Sequence, residues 1–168
     1  ESADDKAGMK SVGASRQYNG RRGKVDVCQV GVFVSLAKNG MNCWIDGEIF
    51  VPESWFDEVH NELSKKVGIT KERIFQTKLG LVLKLIQRAQ AHGMPFTAVA
   101  CDGLYGRSFG FRSQLAAAEI EYYADVPADT TVYLSEPEIG VPNNKRGRKA
   151  TQPRVLSPHA YRVDQLRQ

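Results

Sequence analysis

The chain has 168 residues, 42% of them hydrophobic and 25% charged, with a formal net charge of +4 at pH 7. That length is enough for a proper core, and the composition is that of a globular chain, not a disordered or collagenous one. No apolar run approaches the roughly 20 residues that span a bilayer, and no signal-peptide pattern opens the sequence. Cys28, Cys43 and Cys101 are odd in number and widely spaced in apolar, strand-like contexts. They read as reduced, buried thiols of a cytoplasmic protein, not a disulfide framework or a zinc knuckle. His60, His92 and His159 show no metal-ligand spacing and are assigned plain surface roles.

Residues Glu1 to Arg22 are polar and glycine-rich without a sustained period, which predicts an extended loop. From Lys24 to Leu36 the sequence alternates and then turns apolar. Val25, Val27, Gln29, Gly31 and Phe33 share one face, and Cys28, Val30, Val32 and Val34 share the other. A strand apolar on both faces belongs at the centre of a covered sheet. Lys38-Asn39-Gly40 is a turn signal, and Asn42 to Val51 reads as the returning antiparallel strand. Trp55 to Val67 is helical in tendency but short and irregular.

Thr77 is placed to cap a helix that runs to His92 and stops at Gly93. Its stripe of Leu79, Val82, Leu83, Ile86 and Ala89, widened by Leu81 and Leu85, should cover a sheet. Thr97 to Cys101 is a buried strand, and Asp102 stands where that strand opens into a glycine-flanked turn, Asp102-Gly103-Leu104-Tyr105-Gly106. Open α/β sheets bind ligands just outside the carboxyl ends of their strands, so a carboxylate there is a candidate for chemistry. The plainer reading is a turn residue that satisfies its own loop backbone. A helix over Phe109 to Glu119 and strands at Ile120–Val126 and Thr130–Leu134 follow. Beyond Glu136 proline, glycine and basic residues predict a linker.

The order strand, strand, helix, strand, helix, strand, with an antiparallel hairpin first, predicts a mixed α/β sheet with helices on its faces. It matches the later part of a ribonuclease-H-like fold, with one leading strand expected before Glu1. Both ends read as cut, so a fragment is expected: a first segment, 1–135, carrying the mixed sheet, and a basic segment, 136–168. Arg16, Arg21, Arg22 and Lys24 cluster near the start, and Lys145, Arg146, Arg148, Lys149 and Arg154 near the end. Such clusters suit the backbone of a polyanion such as DNA, and equally a solvated loop surface. The Asn144–Lys149 stretch is similar to a minor-groove arm in which arginines flank a glycine.

Several blocks, in order over nearly the whole chain, resemble the DDE transposases of bacterial insertion sequences. They are Lys6-Ala7-Gly8 with Ser11-Val12-Gly13, Arg16-Gln17-Tyr18-Asn19-Gly20, Gly23-Lys24-Val25-Asp26 and Cys28-Gln29-Val30-Gly31-Val32-Phe33. Phe50-Val51-Pro52-Glu53-Ser54-Trp55, Phe75 with Thr77-Lys78, and Asp102 with Tyr105-Gly106 complete the set.

The resemblance implies a ribonuclease-H-like catalytic domain that cuts and joins DNA ends by two-metal phosphoryl transfer, using Mg2+ or Mn2+ held by carboxylates. It implies double-stranded DNA (element ends and target) as partner, no membrane, a homodimer in the complete protein, and a bacterial cytoplasmic, nucleoid-associated location. Asp102 matches the family's second carboxylate and metal ligand. Glu1-Ser2 matches the positions just after the first, which places that Asp before Glu1, with Asp4 or Asp5 as substitutes if the register slips. The third acid, a Glu, is expected past Gln168, after a β-rich insertion that begins in 136–168.

As supplied, the chain is therefore expected to be inactive. Arg107 and Tyr105 are candidate phosphate contacts, with packing the plainer use of the Tyr ring. Asp46, Glu53 and Lys78 read as a solvent-facing or turn-capping acid, a corner residue above a buried Trp55, and a solvated lysine. Two other readings remain open: a decayed or domesticated DNA-binding remnant, and an unrelated α/β enzyme using the Asp102 loop for a phosphorylated small molecule. The latter lacks a phosphate-cradling glycine pattern.

Overall fold

The computed structural model describes residues 1–70, 72–143, 147, 149–156 and 159–166. The chain divides into two compact units, Glu1–Thr97 and Ala98–Gln168, and is mixed α/β.

The first unit is built on one long strand. In chain order it holds β1 (Ser2–Asp5), β2 (Ser15–Asn19), β3 (Lys24–Lys38), β4 (Met41–Phe50), a 3-10 turn at Glu53–Phe56, α1 (Asn61–Lys66) and α2 (Lys78–Ala91). All strand pairs are antiparallel to β3. Cys28 faces both Asp5 and Ser15, and Val30 faces both Ala3 and Phe50. β1 therefore lies along one edge of β3, while β2 and β4 follow one another along the other. The loop expected over residues 1–22 is thus corrected: polar side chains alternate there on two edge strands, and a leading strand is present within the chain. The hairpin is as expected, turning at Asn39 and Gly40, both left-handed at φ 52° and 79°. That geometry matches the twist of the flanking strands and suits Asn-Gly.

β3 is not buried on both faces. Cys28, Val30 and Val32 are at most 1% exposed, and with Ala3 and the half-buried Phe50 they form the core under α2. On the opposite face Val25 and Tyr18 are exposed, while Val27, Gln29 and Phe33 are half-buried. On it the Phe33 ring lies flat over two glycines: a Cβ on Gly31 would fall 2.5 Å from the ring, and one on Gly47 would meet two of its carbons, including Cε1 at 2.8 Å. The valines of a covered strand and those of a one-sided strand look alike, because β-branched residues favour strands on either face.

Thr77 caps α2, its hydroxyl accepting from the Gly80 amide at 3.1 Å, and Gly93 turns away at φ 70°. The buried stripe is Leu81, Val82, Leu85, Ile86 and Ala89, so Leu81 and Leu85 lie at its centre and Leu79 and Leu83 at its margin. Beside the stripe, Arg88 forks onto Asp46 at 2.5 and 2.6 Å and reaches Glu48 at 3.0 Å, while Lys84 meets Glu48 at 2.9 Å. This pins α2 across β4. Asp46 is thereby not simply a solvent-facing or turn-capping acid: beside the Arg88 fork, its Oδ1 accepts from the Gly47 amide at 2.8 Å. Its hydrogen bond from Arg88 holds its carboxyl below the ordinary value. For Glu48 burial pushes upward, but the Lys84 and Arg88 charges outweigh it and the net direction is also down.

Trp55 is buried beneath the 3-10 turn, its indole N–H donating to the Ala14 carbonyl at 3.1 Å. Cys28 is buried, Cys101 half-buried, and Cys43 exposed on β4, which corrects the expectation of three buried thiols.

In the second unit, β5 (Ala98–Cys101) and β6 (Glu121–Ala124) pair in parallel, joined by α3 (Gly103–Gly106) and α4 (Phe109–Ala117). β7 (Thr131–Val132), β8 (Ile139–Gly140), β9 (Arg154–Val155) and β10 (Tyr161–Arg162) follow, with β8 against β9 and β10 against β7, both antiparallel, then a 3-10 turn at Val163–Leu166. The linker expected after Glu136 therefore contains short paired strands. Among the described residues no helix is long and apolar enough to cross a membrane.

Two outcomes follow. A group whose folded pKa is depressed stabilises above its unfolded pKa, and loses that contribution as pH falls through the folded value. Arg88→Met is therefore expected to lower the urea midpoint at pH 7, and its difference from wild type should shrink below about pH 4, where carboxylates protonate. Gly47→Ala, which forces the Phe33 ring off its seat, is expected to cost about 1–3 kcal/mol in urea denaturation.

Candidate functional site

The candidate site is built by the end of β5. Cys101 pairs with Ala124 as the last rung of the parallel ladder, and the Asp125 amide donates to the Cys101 carbonyl at 3.0 Å. Asp102 follows in extended conformation (φ −77°, ψ 178°) and is exposed. Its Oδ1 accepts from the Leu104 amide at 3.0 Å, capping the single turn of α3. The structural use foreseen for this carboxylate is thus present, and the side chain still lies at the solvent-facing carboxyl end of its strand. One oxygen engaged by a backbone amide fixes the orientation of the group without neutralising it.

The loop is held on three sides. Tyr105 is buried, its ring 5.8 Å from that of Phe111. Gly106 presses directly on the Asp125 carbonyl, where any Cβ would collide with backbone. Arg112 on α4 donates to the Gly106 carbonyl. Ser108 caps α4 through the Phe111 amide at 3.2 Å. The Cys101 thiol beneath is pushed up by burial and then by the negative charges of Asp102 and Asp125. Asp125, at the end of β6, is the acid that sequence reasoning passed over; its position one residue past a strand parallel to β5 was the available signal.

The other expected acids are committed elsewhere. Asp4 pairs with Lys6 at 2.6 Å, and that hydrogen bond and charge hold its carboxyl below the ordinary value. Asp5 receives the Asn19 amide at 2.7 Å and a two-pronged Arg22 contact at 2.6 and 3.0 Å. Glu1 pairs with Lys78 at 3.0 Å, and that ammonium also lies 5.5 Å from the centre of the Phe50 ring, so Lys78 is not simply solvated.

Of the basic residues, Arg16, Arg21, Arg107 and Lys149 are exposed. Arg22 is spent on Asp5 and reaches Asp26 at 3.5 Å, and Lys24 lies 3.4 Å from Asp26. Lys145, Arg146 and Arg148 lie outside the described residues.

Residues 1–168 match the family described as DDE superfamily endonuclease. The chain belongs to that family. No curated protein and no solved structure matches it. Membership assigns a transposase-type nuclease with DNA as substrate, in a superfamily that generally uses divalent metals. The carboxylates present do not make such a centre: among the described residues no group of three or more His, Cys, Asp or Glu side chains is placed to hold an ion. Hard divalent cations take several oxygen ligands, and Asp102 offers one carboxylate.

Asp102 carries two separable tasks, cap and charge. Asn caps as well as Asp, whereas Ala loses the cap at about 0.5–2 kcal/mol. Asp102→Asn is expected to melt with the wild type, and Asp102→Ala below it, in thermal denaturation followed by circular dichroism.

Proposed function

We propose that this DDE endonuclease chain is part of the ribonuclease-H-like catalytic domain of a bacterial insertion-sequence transposase, and that Asp102 is a catalytic carboxylate and metal ligand of the complete enzyme. The observation that carries this reading is the exposed Asp102, fixed by its own loop at the carboxyl end of a strand in a parallel pair. On this reading residues 1–135 belong to the catalytic domain and 136–168 to a basic linker opening into a β-rich insertion.

The chain's own residues bind and orient. Exposed Arg16, Arg21, Arg107 and Lys149 present cations to phosphates, each neutralised phosphate releasing counterions and making affinity salt-dependent. Arg112, Gly106 and Tyr105 hold the Asp102 loop in one conformation, so that its carboxylate does not have to be ordered when substrate arrives. No catalytic step is assigned to Asp4 or Asp5, whose charges are matched by Lys6 and Arg22.

The test separates binding from cleavage. The 168-residue chain is expected to bind duplex DNA with log affinity falling as log salt rises, and to leave a supercoiled plasmid intact in Mg2+ or Mn2+. A salt slope near zero would remove the DNA-backbone reading. Cation-dependent nicking that disappears in Asp102→Asn would show that Asp102 acts with partners already in this chain.

A further inference from the structure

The chain has two tryptophans, and they are treated oppositely. Trp55 is 2% exposed and hydrogen-bonded, whereas Trp44 is 69% exposed on β4. Three features combine to hold that indole outward. The Phe33 ring is seated on Gly31 and Gly47, which leave no Cβ beneath it. Trp44 stacks on Phe33 with centroids 4.5 Å apart and planes 25° apart. A β-bulge between Val34 and Ser35 leaves Ile45 without a partner and puts Trp44 opposite Ser35, on the same face as Phe33 and Gly47. Were Ile45 instead to pair with Ser35 in regular alternation, Trp44 would fall opposite Leu36 and turn toward the helix side. A flat, rigidly backed aromatic surface facing solvent is the form of a base-stacking platform.

Charge chooses the occupant. The carboxylates of β4, Asp46 and Glu48, and Asp5 and Asp26 all project to the other face, where Arg88, Lys84, Arg22 and Lys24 engage them. The open face carries exposed Tyr18 opposite Val25 and exposed Arg16 opposite Val27, and its one strand carboxylate among the described residues, Asp4, is paired with Lys6. From Phe33 to Val25 this face runs eight residues along β3, about 26 Å at the rise of a strand, with half-buried Gln29 donating to the Val12 carbonyl at 2.6 Å between the two ends. Aromatic groups interleaved with a cation and stripped of free acid suit a polyanion with unstacked bases better than a protein helix.

We propose that the outer face of Trp44 is a stacking site for an unpaired nucleobase of single-stranded or opened DNA, with Arg16 along the same strip for its backbone. This deepens the DNA reading above and rests on it. The site would engage the strand exposed when a duplex end is opened, away from the Asp102 loop in sequence and belonging to the other unit.

The test uses the whole chain with single-stranded oligothymidylate and a duplex of equal length, read by fluorescence anisotropy and by Trp44 quenching against the buried Trp55. Oligothymidylate is expected to quench the solvent-exposed, red-shifted emission. Trp44→Ala should weaken single-strand affinity by about 5- to 150-fold, the range of a single stacked base, and weaken duplex affinity much less. Trp44→Phe should recover most of the loss. Equal single-strand affinity in wild type and Trp44→Ala overturns the platform while leaving the DNA reading intact. If wild type binds neither oligonucleotide, the DNA reading fails with it. A concentration-dependent dimer that dissociates in Trp44→Ala, with unchanged DNA affinity, would assign the face to a second copy of the chain and likewise overturn the proposal.

Discussion

The pairing of β3 on both of its edges sets the first unit. A strand of 15 residues with β1 on one side and β2 and β4 in succession on the other has one alternation of side chains to share among four strands. Once Cys28, Val30 and Val32 face α2, every partner's facing is decided by register. Ala3 and Phe50 join the core, and Asp5, Asn19, Asp46 and Glu48 are carried to the helix side with them. Asp46 and Glu48 then need a cation, because a half-buried carboxylate without a partner loses its hydration for no return, and the more exposed Asp5 is paired as well. Arg22, Asn19, Lys84 and Arg88 supply those partners.

That accounting bears on the chemistry. Phosphoryl transfer by carboxylate-held cations needs acids whose charge is free to meet the ion. Asp5 and Asp46 are already forked by arginine, and a carboxylate so engaged offers little to a metal. Asp102 differs because its engaged partner is a backbone amide, which fixes direction and leaves the net charge in place. Its position is also protected by geometry: Gly106 lies against the Asp125 carbonyl and Arg112 ties the same residue from α4.

Much of this was legible in the residues. The Asn39-Gly40 hairpin, the Thr77 cap, the Gly93 stop and the placement of Asp102 after β5 all follow from local chemistry, since each depends on neighbours a few positions away. The family blocks brought the same residues to a nuclease. What could not be read was pairing at a distance. Residues 2–5 and 15–19 have strand geometry because β3 offers them two free edges, and nothing in Ser-Ala-Asp-Asp announces that. The one-sided burial of β3 was hidden for the same reason: valine fills a strand whichever face is covered. Asp5 looked available because its partners lie across the sheet and the turn, Asn19 at 14 positions and Arg22 at 17, whereas Asp4 meets Lys6 only two residues on.

The unpaired Ile45 has an effect larger than its size. An added residue in one strand of a ladder acts as a parity change: everything on the hairpin tip beyond it exchanges sides relative to everything before it. With Ile45 in place, indole meets phenyl and the Cys43 thiol points the other way. Were it instead paired with Ser35 in unbroken alternation, Ile45 would take the indole's station beside Phe33, and the tryptophan would turn to the helix side, opposite Leu36. A single backbone step thus decides whether this end of the sheet shows solvent an aromatic plane or a branched aliphatic chain.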